Sequence, residues 1–161
     1  MIGDDNTVKL LQRAKGTLEF DLADRPYGPT DFVAGSVSLK SRRRLGPGKL
    51  TVDLVCVASK QRWDGQRRLH IDKMHLFRGS LVCDESAISV PDGPTRRPFT
   101  FQVPTLTPRL GDGFPNWPAA VPEIIRAMES WETTLEWALE AHFDLQGLDL
   151  DGRRTIVLFP H

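Results

Sequence analysis

Lys60, Arg62, Arg67 and Arg68 crowd around Trp63 in the stretch SKQRWDGQRRLH. Arginine forks match carboxylates and phosphates, and an indole offers a rigid apolar face, so the composition is that of a binding hot spot. The same groups can stack on nucleobases. They also suit a solvated hairpin tip, whose charges keep a strand end from pairing with another chain. A second basic run, Arg42, Arg43 and Arg44, opens RRRLGPG. Together the two runs could lie on anionic lipid with Trp63 at the interface.

Other candidate groups converge less well. His70, Asp72 and His75 share the segment LHIDKMH, but on a strand the first two face one way and His75 the other, so three metal ligands do not meet. Cys56 and Cys83 lack the paired spacing of a zinc site. Both sit in apolar runs and read as buried free thiols of a reducing compartment. Asp149 and Asp151 start like a calcium loop that is too short and lacks the remaining ligands. His142 stands between Ala141 and Phe143 with no nucleophile in recognisable spacing. There is no glycine-rich phosphate loop and no nucleophile elbow. The expectation is a protein without catalytic residues, cofactor or bound metal, an enzyme of unrecognised type being the alternative.

The elements that must position the basic loop alternate apolar and polar residues with a period of two. Such stretches are Thr17–Leu22, Phe32–Leu39, Leu50–Ala58, Met74–Val82, Phe99–Val103, Leu135–Leu145 and Thr155–Phe159. Gly79 interrupts the fourth and suggests a bulge. ADRPYGPTD, RRRLGPG and DLDGRR read as turns, the last a hairpin into the final strand. Seven strands joined by turns predict two packed antiparallel sheets, an immunoglobulin-like β-sandwich. Pro104–Pro122 carries too many prolines for a central strand. PEIIRAMES follows, with Pro122 suited to a first helical position and Ile124, Ile125, Met128 and Trp131 near one face. It predicts one short helix, a packing plug in preference to a membrane-seeking segment.

The chain has 161 residues, 40% hydrophobic and 26% charged, enough for one domain with its own core over residues 1–161. Lys and Arg balance Asp and Glu at 21 each, so no overall charge draws it to nucleic acid, and none is expected as a partner. The balance conceals an asymmetry: residues 1–80 hold 15 basic and 9 acidic groups, residues 81–161 hold 6 and 12. No apolar run reaches the roughly 20 residues of a membrane span, and the acidic start MIGDDNTVK does not resemble a signal peptide. A cytoplasmic protein is the expectation.

PFTFQVP (Pro98–Pro104) resembles the PF-x-F-x-(aliphatic)-P signature of the N-terminal domain of arrestins. FVAGSVSL resembles that domain's second strand, LTVDLVCVA its third, WALEAHFDL the strand after the signature loop, and RRTIVLF its closing strand. The likeness spans roughly residues 8–159 and extends to the bacterial sporulation-control proteins and the retromer arrestin-fold subunit. It departs from the animal arrestins in matching only one of their two domains and in placing its helix after the signature. It also has no PPxY motif, and the phosphate-triggered switch does not carry over. The resemblance implies a single arrestin-like sandwich acting as an adaptor or scaffold, which presents loops and an edge strand to a protein or peptide. By position the Lys60–Arg68 loop is similar to the finger loop that arrestins insert into receptors.

Overall fold

Leu50, Val52, Leu54 and Cys56 are all fully buried, as their alternation predicts, and they sit at the centre of the larger of two sheets. The structure is a computed structural model that describes residues 16–41, 45–90, 95–109, 112–144 and 149–160. Its elements are β1 (Thr17–Leu22), β2 (Phe32–Lys40), β3 (Leu45–Trp63), β4 (Leu69–Val90), β5 (Thr95–Gln102), α1 (Trp117–Glu129), β6 (Thr133–Asp144) and β7 (Leu150–Ile156). One sheet has the order β1-β2-β5 and the other β4-β3-β6-β7, and every pairing within them is antiparallel. The expected β-sandwich with one short helix is therefore the observed architecture.

The two Phe side chains of the signature strand, Phe99 and Phe101, both enter the core between the sheets. Phe99 meets Phe20 edge-to-face at 5.8 Å, and Phe101 approaches Phe114 at 6.1 Å. Trp117, the first residue of α1, is wholly buried against Phe77, Trp137 and Phe159, and its indole N–H donates to the Thr105 carbonyl at 2.9 Å. The helix is indeed a plug: Trp117, Ala120, Val121, Ile124 and Ala127 form its buried stripe.

Several local expectations are corrected. The helix starts a turn before Pro122, because Pro118 already occupies its first turn, where a missing N–H costs nothing. It ends at Glu129; Ser130 is extended, so Trp131 leaves the helical face and stands 91% exposed. Gly79 is in register opposite Leu54, and the register shift falls instead at Leu76, between the pairs Cys56↔Phe77 and Val57↔His75. Gly79 is needed for packing, since a Cβ there would lie 2.4 Å from the Phe114 ring. DLDGRR is no turn: Asp151, Gly152, Arg153 and Arg154 lie inside β7. A side chain at Gly152 would meet the Leu18 carbonyl at 2.7 Å, so the glycine is there to let β1 and β7 close one side of the sandwich. Of RRRLGPG, the residues from Leu45 to Gly48 belong to β3, which begins through an irregular register.

Candidate functional site

The long pair β3 and β4 carries the basic loop beyond the rest of the sandwich. β6 pairs with β3 only as far as Lys60↔Thr133, whereas β3 and β4 continue together through Gln61↔Ile71, Arg62↔His70 and Trp63↔Leu69. The tip is a two-stranded ribbon closed by residues 64–68.

Asp64 organises the turn. Its Oδ1 accepts the N–H groups of Gln66 (2.8 Å) and Arg68 (2.9 Å), its own N–H donates to the Arg68 carbonyl (3.0 Å), and its Oδ2 lies 2.7 Å from His70 Nε2. The His70 hydrogen bond, then the Arg68 N–H, hold the Asp64 carboxyl below its ordinary pKa, assisted by the Gln66 N–H and opposed by partial desolvation. Arg67 sits at φ 58°, a left-handed conformation that Gly or Asn adopts more readily.

Cross-strand register separates the tip's two faces. Arg62 pairs with Asp72 at 2.7 Å on the face continuous with the core side, next to His70. On the outer face Trp63, Leu69 and Ile71 gather, exposed by 70%, 46% and 55%. Lys60 reaches Glu132 at 3.8 Å. Among the described residues, the side chains of Arg67, Arg68 and Lys73 make no ion pair or hydrogen bond. Of the expected site residues, Arg62, Trp63, Arg67 and Arg68 therefore share one ribbon end, although Arg62 is engaged by Asp72. Arg42, Arg43 and Arg44 lie outside the described residues. Cys56 is a buried free thiol whose burial pushes its pKa up to about 12; the Cys83 side chain is not among those described.

A second polar cluster, which the sequence did not disclose, covers the outer face of the β4-β3-β6-β7 sheet. Asp53 is buried; Arg78 donates to it at 2.8 Å and spans to Glu140 at 3.0 Å. Arg153 binds Glu140 at 3.2 Å and also Glu136. His142 Nδ1 lies 2.7 Å from Asp151, and its Nε2 lies 3.5 Å from Asp53. The residues come from four strands, so only the register brings them together. One pair could have been found: closing the β6–β7 hairpin sets His142 opposite Asp151. The ladder ties four strands and lets Val55 and Val57 be buried on an otherwise polar face. Among the described residues no group of three His, Cys, Asp or Glu side chains is arranged to hold a metal ion.

Three concavities are shallow and lie elsewhere. One of about 180 Å³ lies between Phe101, Val103 and Phe114, one of about 500 Å³ along Pro108–Pro118, and one of about 530 Å³ between Met128, Leu135 and Phe159. None reaches the hairpin tip. Among the described residues no helix is long and apolar enough to cross a membrane.

The architecture is that of the arrestin-like β-sandwiches. The sporulation control protein Spo0M of Bacillus subtilis superposes with a TM-score of 0.53 over 91% of this chain, at 17% identity, and this chain spans 50% of Spo0M. At that identity the likeness concerns the fold. Weaker superpositions, with a Pseudomonas fluorescens alkylpurine DNA glycosylase bound to DNA containing an abasic site analog (TM-score 0.39, 14% identity, 98% of this chain, 34% of that one) and with the Escherichia coli curli protein CsgC (0.31, 9%, 86% and 97%), carry no argument. No family model matches the sequence, and no curated protein does.

Proposed function

We propose that this chain is a non-catalytic binding module, an adaptor or scaffold domain of the arrestin-like family, that docks a protein partner through the tip of the β3–β4 hairpin. The observation that carries this reading is the outer face of the tip. Trp63, Leu69 and Ile71 form an exposed apolar cluster on a ribbon that no other strand supports, beside three unpaired cations. Arg67 adds to it as an exposed cation on a backbone in the left-handed region, which a glycine would adopt with less strain. A protein partner is favoured over a lipid surface on charge. Polybasic lipid anchoring takes about four to eight clustered cations, whereas here Arg62 and Lys60 are already engaged by acids. Arrestin-like membership and a cytoplasmic setting belong to the same proposal.

The test replaces Trp63, Arg67 and Arg68 by Ala together and compares thermal stability with capture of the native partner by affinity isolation and mass spectrometry. Lost capture at unchanged stability supports docking at the tip. Retained capture at unchanged stability reduces the loop to a solvated hairpin end.

A further inference from the structure

We propose that the open edge of β4 from Leu69 to His75 takes up an acidic, extended peptide strand by backbone pairing. The proposal rests on the docking role of the hairpin and names the chemistry of its partner.

The phase of the hairpin decides which backbone groups are free. The Asp64 N–H bonds the Arg68 carbonyl. In an antiparallel ladder hydrogen-bonded and open pairs alternate from such a closing bond. Arg62↔His70, Lys60↔Asp72 and Ala58↔Met74 are then the bonded pairs, and Trp63↔Leu69, Gln61↔Ile71, Ser59↔Lys73 and Val57↔His75 the open ones. Leu69, Ile71, Lys73 and His75 consequently turn their N–H and C=O groups away from β3, toward a side of the sheet where no strand follows among the described residues.

The other sheet edges are closed or blunted. β1 and β7 approach each other at Leu18 and Gly152. β5 carries Pro98, which cannot donate to an added strand. Along β4 itself, the shift at Leu76 ends the regular register, and Asn116 Nδ2 donates to the Arg78 carbonyl at 2.7 Å. The free stretch is thus short and bounded, as a recognition edge must be if it is not to recruit any unfolded chain.

Charge selects the occupant. Among the described residues Arg67, Arg68 and Lys73 are uncompensated, and Asp72 is neutralised by Arg62. A second copy would set one cationic edge against another, whereas a strand with acidic side chains would meet Lys73 and Arg68. Leu69, Ile71 and Lys73 lie on one face, so that face of the added strand would carry an acidic side chain at Lys73 and apolar ones at Ile71 and Leu69, with a further acidic residue reaching Arg68 at the turn. Backbone pairing supplies affinity, and the alternating side chains supply selectivity.

Amide hydrogen exchange of the labelled chain, with and without the blocked peptide Glu-Thr-Val-Thr-Val-Glu, tests this directly. Protection of the Leu69, Ile71 and Lys73 amides should rise at least about tenfold, while those of His70 and Asp72, already bonded to β3, change little. Ile71→Pro should weaken binding of this peptide by about tenfold or more and still fold, because its lost N–H faces solvent; Ile71→Val should bind as the parent does. The exchange measurement on the parent chain stands even if the proline variant does not fold. Equal protection by the peptide with Lys in place of both Glu residues would overturn the charge selection. Protection that depends on protein concentration without peptide would make the occupant a second copy and overturn the proposal. So would binding only to phosphatidylserine vesicles. If the Trp63, Arg67 and Arg68 replacements abolish partner capture while no amide is protected, the tip docks through side chains alone: strand addition fails and the docking role survives. If the amides are protected but the triple variant keeps its partner, the docking role fails instead.

Discussion

In the middle of the outer sheet face Arg78 is held by Asp53 and Glu140, and Arg153 by Glu140 and Glu136. Further along the same pair of strands, Arg67, Arg68 and Lys73 have no acidic partner among the described residues. Both regions are polar surface on strands β3 and β4, and both contain arginines. The first spends its charges on tying four strands together over Val55 and Val57. The second exposes its charges next to Trp63, Leu69 and Ile71. Cations that a fold needs are found near acids of neighbouring strands. Cations left over on a projecting ribbon contribute little to stability and remain available to something else.

The contrast is broken most severely by truncating the hairpin's packed half. Phe77→Ala removes a buried ring that meets Phe114 at 5.4 Å and Trp117 at 5.1 Å, and should cost about 3–5 kcal/mol in denaturant unfolding. A loss under about 1 kcal/mol would place Phe77 outside the core. Arg78→Ala comes next. It leaves Asp53 buried with only the 3.5 Å His142 contact, for a loss of about 1–3 kcal/mol, less than for a fully buried pair because Arg78 is half-exposed. Adding Asp53→Ala should return part of that loss, and strict additivity would show that the two are not coupled. At the tip, each of Trp63→Ala, Arg67→Ala and Arg68→Ala should change stability by no more than about 0.5 kcal/mol. A larger loss would make the tip part of the scaffold.

Proton titration sharpens the same division. Asp64 has a lowered folded pKa, so its contribution to the turn is complete at neutral pH and disappears as pH falls through that lowered value. Acid should therefore loosen the turn, seen in the Gln66 and Arg68 amide signals, before it unfolds the sheets. Cys56 behaves oppositely. Its folded pKa is raised to about 12, so stability is undiminished below the ordinary thiol range and declines as pH rises through it, when only the unfolded chain releases the proton. At neutral pH its reaction with a thiol reagent should be limited by unfolding; rapid labelling of the folded chain at Cys56 would contradict its burial.

The sheets were legible in the sequence because their inner faces alternate: Leu50 to Cys56 and Phe99 with Phe101 each mark a core face without outside help. The turn assigned to DLDGRR failed because Gly152 answers a close approach from Leu18, far away in the chain. The bulge assigned to Gly79 failed for a similar reason, the Phe114 ring. The start of β4 was read too late, since the edge segment Leu69–Lys73 mixes exposed apolar and polar residues and buries neither face. Composition alone disclosed the tip, as Trp63 and its arginines lie within one loop. The charged ladder was hidden because Asp53, Arg78, Glu140 and Arg153 become neighbours only through register.

Two of the chain's four tryptophans, Trp63 and Trp131, are exposed, while Trp117 and Trp137 are buried. Fluorine-labelled tryptophan observed with and without the native partner therefore reports on the tip against an internal control. If the partner docks on the hairpin, the Trp63 resonance shifts and loses its solvent accessibility, and Trp131 keeps both its shift and its accessibility. A partner that covers Trp131 and leaves Trp63 unchanged would contradict docking at the hairpin tip.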